Sequence, residues 1–125
     1  MPKPKSKSYW KKKCDKLFGH IIRASGQCAI CGRSDNQLHC HHLITRAAVF
    51  YRHNLNNAVC LCASCHNFGF SEGRISAHST PWAFEQWMKE NKPEQYEWWE
   101  KNRRKVIAGV KIDYKAVYET LKGQE

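Results

Sequence analysis

The sequence predicts a small α+β protein, on three observations. Two Cys-x-x-Cys pairs, Cys28 with Cys31 and Cys62 with Cys65, are separated by 30 residues. Between them lie two short runs with the polar and apolar alternation of strands, and on either side apolar residues recur at helical spacing. The order implied is one helix, then strand, loop, strand and short helix, then about three more helices. At 125 residues the chain suffices for one domain with a modest core.

Residues 1–7 read as a flexible basic arm, with Pro2 and Pro4 keeping it extended, and residues 8–125 as the domain. Ser8 is the expected cap of a helix from about Tyr9 to Ser25, because Trp10, Cys14, Leu17, Phe18, Ile21 and Ile22 share one face. Gly26 is its expected left-handed end. Cys14 falls on the apolar stripe and reads as a small buried hydrophobe. Lys11, Lys12, Lys13 and Lys16 then occupy the outer surface.

The two Cys pairs carry a metal-binding pattern. A turn with two intervening residues brings both sulfurs to one side of the backbone, and four converging thiolates imply a tetrahedral structural Zn²⁺. The separation of the pairs exceeds the roughly 15 to 20 residues of a simple four-Cys module, so the insert is a unit in itself. Within it, Gln37-Leu38-His39-Cys40 reads as a strand running into His41-His42, whose side chains must point to opposite faces. Ala58-Val59-Cys60-Leu61 reads as a second strand, approached by Leu55-Asn56-Asn57. The second Cys pair opens a short helix, where Cys65 can face the zinc while His66, turned by about 100°, faces the end of the first strand. Cys40 and Cys60 read as core, and His20, His39 and His53 as structural or surface residues.

Residues 80–122 read as a helical extension. Thr80-Pro81 is a helix start, Thr as cap and Pro at the first position, for a helix to about Asn91. Pro93 starts another, with Tyr96 and Trp99 on one side, ending in the basic run Lys101-Asn102-Arg103-Arg104-Lys105. Asp113 caps a last helix carrying Tyr114, Val117, Tyr118 and Leu121, closed by Gly123. The five Trp read as core rather than as surfaces for stacking bases.

The net charge of +10 calls for a polyanionic partner. Seven lysines against Asp15 concentrate six of these charges in residues 1–16. From Leu17 to Pro81 there is no lysine, only Arg23, Arg33, Arg46, Arg52 and Arg74. Arg46 and Arg52 lie between the His pair and Asn57, and a guanidinium fork suits phosphate oxygens, so both are expected to contact a DNA backbone, with Lys11, Lys12 and Lys13 as further contacts. No apolar run approaches the roughly 18 residues of a membrane span, and seven cysteines, four in metal-type pairs, suit a reducing cytoplasm.

Together, His41-His42, Asn57 and Cys62-x-x-Cys65-His66 resemble the HNH endonuclease signature in its zinc-stapled form, over about 40 of the 125 residues. The resemblance implies a ββα-metal finger, here residues 28–78, as the catalytic unit. It implies His41 and His66 as ligands of a catalytic divalent ion, Mg²⁺ or Mn²⁺, and His42 as the general base that takes a proton from water. Asn57, favoured over Asn56 by its spacing to Cys62, would hold strand and loop in register.

Colicin-type members carry a further His where this chain has Phe70. Two protein ligands would leave more of the shell to water and phosphate, as Mg²⁺ tolerates. His78 is a candidate third ligand if residues 67–77, with Gly69, Ser71-Glu72 and Gly73, bulge out as a loop. The lead-in Ser8-Tyr9-Trp10-Lys11-Lys12-Lys13 is similar to that of phage NinG/Rap-type recombination nucleases, which suggests a phage or prophage protein acting in a bacterial cytoplasm, as a monomer or a homodimer.

Two other classes compete. A noncatalytic zinc-dependent DNA-binding module accounts for charge and cysteines but not for the His and Asn spacing. A thiol redox protein would need a βαβ context for its Cys-x-x-Cys.

Overall fold

The computed structural model describes residues 3–34, 37–68, 75–105, 107 and 109–125. The stretch 69–74, with Gly69, Phe70, Ser71, Glu72, Gly73 and Arg74, lies outside them, so the expected shape of that loop does too. Among the described residues the chain is mixed: α1 (Lys7–Ile22), β1 (Leu38–His42), β2 (Ala58–Cys62), a π-helical turn (Ser64–Phe68), α2 (Pro81–Asn91), α3 (Pro93–Asn102) and α4 (Tyr114–Lys122). None of these helices is long and apolar enough to cross a membrane.

Helix α1 starts earlier than its apolar face suggests. Ser6, not Ser8, is the cap and accepts from the Tyr9 amide at 3.1 Å, so the extended arm ends one residue short of the expected boundary. Two serines at i and i+2 offer equivalent caps in sequence, and the one chosen adds two residues to the start of the helix. A 3₁₀ turn (Arg23–Ser25) follows, and Gly26 closes it at φ +72°, a conformation that favours glycine. The apolar stripe of α1 meets α4 as well as the sheet. Cys14, Leu17 and Phe18 form one buried cluster with Ala58, Tyr114 and Leu121. The Cys14 thiol donates to the Tyr114 carbonyl at 3.1 Å.

Strands β1 and β2 pair antiparallel, with Leu38 opposite Cys62, Cys40 opposite Cys60 and His42 opposite Ala58. Leu43 N–H donates to the Asn57 carbonyl and Ala63 N–H to that of Gln37, both at 3.0 Å, extending the ladder at each end. The period of two divides the histidines between faces. His41 turns toward Phe84 of α2, whereas His42 turns toward Phe18 of α1.

Val59, Leu61, Phe84, Met88 and Trp99 make the second cluster on the His41 face. Burying Phe84 contributes on the order of 2–3 kcal/mol. Thr80 precedes α2 as expected, yet its hydroxyl does not cap the helix. It donates to the Ser76 carbonyl at 3.0 Å and accepts the Ser76 amide at 2.8 Å, closing the turn over residues 76–80 instead. Asp113 does cap α4, accepting from the Ala116 amide at 3.2 Å.

Candidate metal centres and cleft

The four Cys-x-x-Cys sulfurs converge to within 4.8 Å of one another. Locally this follows from the first knuckle: Cys28 N–H donates to the Arg33 carbonyl and Gly32 N–H to that of Cys28, both at 2.9 Å, with Gly32 at φ +74° reversing the chain. Ala29 N–H donates to the Cys60 carbonyl at 2.9 Å and so docks the knuckle on β2, which delivers Cys62.

The Cys31 and Cys62 sulfurs lie 3.6 Å apart. Two thiolates on one tetrahedral zinc would be separated by about 3.8 Å, so the residues fit the ion. Burial opposes ionisation of Cys28, but backbone N–H groups of Cys31, Cys62 and Ile30 outweigh it and bring that thiol down to about 7. Burial and the neighbouring cysteines push Cys31 and Cys65 up. One thiolate is thus accommodated by the protein, and a cation is needed to hold four. The cluster is suited to a structural metal such as zinc.

A second cluster lies toward the other end of the strand pair. The ring nitrogens of His41, His66 and His78 also fall within 4.8 Å of one another. His41 comes from β1 and His66 from the π-helical turn. The chain then returns alongside that turn: Ala77 N–H donates to the Cys65 carbonyl at 2.8 Å and His78 N–H to that of His66 at 3.1 Å. This pairing sets His78 beside His66, with their Nε2 atoms 3.2 Å apart. Two imidazoles on one tetrahedral ion would be separated by about 3.3 Å, so this trio also fits a divalent cation.

Three imidazoles suit zinc, copper, iron or nickel, whereas Mg²⁺ prefers oxygens. Burial first, then the neighbouring imidazoles, push His41 down to about 3 and His66 to about 4. Both are therefore neutral lone-pair donors at neutral pH. His39 was not expected here. Its Nδ1 lies 2.8 Å from His66 Nδ1, a contact that orients the His66 ring and leaves Nε2 toward His78. The signal was the alternation itself, which sets His39 and His41 on one face of β1.

His41, His42, His66 and His78 line a cleft of about 540 Å³ together with Arg46, Phe84, Glu85 and Arg103. His42 Nε2 lies 2.9 Å from the Arg52 carbonyl. A carbonyl can only accept, so Nε2 carries the proton and Nδ1 keeps the lone pair. Burial lowers the His42 pKa more than that carbonyl raises it, with the Arg46 and Arg52 charges adding to the lowering.

Asn57 is fully buried. Its Oδ1 accepts from Ile44 N–H at 2.6 Å, and its Nδ2 donates to the carbonyls of Ile44 at 3.1 Å and Tyr51 at 3.0 Å. It therefore ties both ends of the loop between the strands. Asn56 is exposed; its backbone amide bonds the Asn54 side chain and its carbonyl accepts from Gln95.

The basic residues divide. Arg46 is exposed at the cleft. Arg52 is not: its guanidinium is held by both oxygens of Asp15, each at 2.8 Å, and its side chain is 12% exposed. The fork expected to grip a phosphate is spent on a carboxylate of α1. Lys12 and Lys13 are exposed, with the Lys13 ammonium near the Tyr118 ring, whereas Lys11 is half-buried and approaches the ring of Tyr114. In the run 101–105, Arg103 pairs with Glu85 and Glu100 and covers Trp99, leaving Arg104 and Lys105 exposed.

Comparison of the chain with family models, curated proteins and solved structures gives no match, so the HNH resemblance stands on the residues themselves.

Proposed function

We propose that this chain is a metal-dependent HNH-type endonuclease that hydrolyses phosphodiester bonds of DNA. The observation that carries the reading is the presence, at one cleft, of a three-imidazole cluster and of a histidine whose tautomer leaves Nδ1 free. His41, His66 and His78 would hold the catalytic cation, which when bound supplies Lewis-acid stabilisation of charge on phosphate oxygens. His42 accepts a proton from water at Nδ1, a task suited to an imidazole that is neutral at pH 7. Asn57 keeps the loop, and with it the Arg52 carbonyl, in place. Arg46 at the cleft, Lys12 on α1 and the overall charge of +10 favour a polyanionic substrate.

The reading takes Mn²⁺ or a borderline ion such as zinc at the imidazoles, with Mg²⁺ serving where water and phosphate complete its shell. The family resemblance adds 5′-phosphate and 3′-hydroxyl products and a phage or prophage setting in a bacterial cytoplasm. A monomer would nick and a homodimer would cut both strands.

The test is cleavage of supercoiled plasmid by metal-stripped, zinc-repleted protein with Mg²⁺, Mn²⁺, Zn²⁺ or EDTA, comparing His42→Ala with the parent. Nicking that needs the added metal and falls about 10²- to 10⁴-fold in the variant supports the reading. If neither protein cuts while both bind DNA, the chain is a noncatalytic zinc-dependent DNA-binding module.

A further inference from the structure

We propose that Asp15 is a positioning residue for His42, acting through the backbone of Arg52; its kinetic consequence rests on the nuclease reading above. Asp15 stands on α1, outside the finger that carries the HNH pattern. Its carboxylate receives Arg52 Nε at Oδ1 and Arg52 Nη2 at Oδ2, a two-pronged bond with both contacts at 2.8 Å. His53 Nε2 lies 2.7 Å from the same Oδ1. Arg52 also donates from Nη1 to the Arg46 carbonyl at 3.3 Å. One carboxylate therefore anchors two consecutive loop residues to α1.

The consequence falls on the carbonyl between those two side chains. It is the Arg52 carbonyl that takes the proton of His42 Nε2. Phe18, one helical turn beyond Asp15, lays its ring 5.4 Å from that of His42 at 30°. Helix α1 thus holds the imidazole twice: by contact with its face, and by fixing the carbonyl that sets its tautomer. Beyond Leu43 the loop pairs with no strand; its own turns, with Arg52 N–H on the Val49 carbonyl at 3.3 Å and Asn54 N–H on the Tyr51 carbonyl at 3.1 Å, set its local course. Asn57 and the Asp15 clamp tie that course to the sheet and to α1. Without the clamp the carbonyl swings, the His42 proton redistributes between its nitrogens, and fewer molecules hold Nδ1 ready.

The experiment uses the full chain loaded with zinc, as Asp15→Asn and Arg52→Lys, beside Leu121→Ala as a stability control on the α1–α4 interface. Two readouts are taken on each: steady-state plasmid nicking, and the ring nitrogen signals of His42 by ¹⁵N NMR, assigned with His42→Gln. Asp15→Asn and Arg52→Lys are each expected to lower kcat about 10- to 100-fold with KM within about twofold, as a slightly misplaced group does. Both should move the His42 signals from a single Nε2–H form toward a mixture. Leu121→Ala should lower Tm and change neither readout.

Should Asp15→Asn fail to fold, Arg52→Lys, which keeps the charge and breaks the fork, decides alone. Unchanged ring signals in a folded clamp variant overturn the proposal, as does a Leu121→Ala variant that reproduces both effects. If the parent does not cut DNA, the nuclease reading fails separately, and the ring signals still judge the clamp.

Discussion

The cysteine cluster and the histidine cluster are built on the same strand pair, toward opposite ends, and they differ in charge and in access. Four thiols converge at one end, three of them buried, and they can be anionic together only around a cation. Three imidazoles converge at the other, graded from buried His41 through half-buried His66 to exposed His78, and His41 and His66 are neutral without one. The first set leaves no coordination position free and offers stability. The second opens on a cleft and leaves coordination positions free. Closure by charged donors suits a structural ion, and an open shell of neutral donors suits a working one.

The most damaging way to break this contrast is Cys62→Ser. It removes a buried thiolate from the site where folding and metal binding are one process, so the variant should lose its zinc and its cooperative melt. Metal analysis with circular dichroism checks this; a zinc-free variant that melts like the parent would make the cysteine site dispensable. His66→Ala should do the reverse. The cysteine-bound zinc is retained at one ion per chain and Tm shifts by a few degrees, while on the proposed nuclease reading metal-dependent cleavage falls about 10³-fold. Equal losses of stability at both sites would erase the distinction.

Asn57→Ala tests the element that joins them. It strands the amide and carbonyl of Ile44 and takes one donor from the Tyr51 carbonyl, which keeps the Asn54 amide at 3.1 Å, at a cost of about 2–3 kcal/mol by denaturant titration.

The smallest effect is on the acid limb. Burial pushes the Asp15 carboxyl up, but the Arg52 and His53 hydrogen bonds and charges outweigh it and hold it below its usual value. A carboxyl depressed on folding stabilises the protein above the unfolded pKa, near 3.9, and loses that contribution as pH falls through the lower folded value. The Tm gap between parent and Asp15→Asn should therefore narrow below about pH 4, as the carboxyl is protonated in the folded protein. A gap independent of pH would mean that the carboxylate charge is not what holds the loop.

Several of these features are legible without a structure because they are local. The Cys pairs need only two intervening residues, the strand pair is marked by alternation, and Pro81, Pro93 and Asp113 mark helix starts by their own backbone and side-chain chemistry. Other features were misread for lack of partners. Arg52 looked free because Asp15 is 37 positions away in the chain. His39 looked like a bystander because its partner, His66, arrives from the far side of a loop. Thr80 has the sequence of a cap, yet the turn back to Ser76 captures its hydroxyl.

By itself, then, the sequence determined the α+β class, the cysteine donors of the closed site, the opposite facing of His41 and His42, and the excess of positive charge. These follow from spacing along the backbone, where geometry is set by neighbours within a turn or a strand. Tertiary structure alone decided that His78 joins His41 and His66, that the Asn57 side chain ties both ends of one loop, and that α1 reaches the His42 ring through Phe18 and the Asp15–Arg52 pair. Those contacts join segments distant in the chain, and their formation depends on how the helices settle on the sheet, which no local spacing encodes.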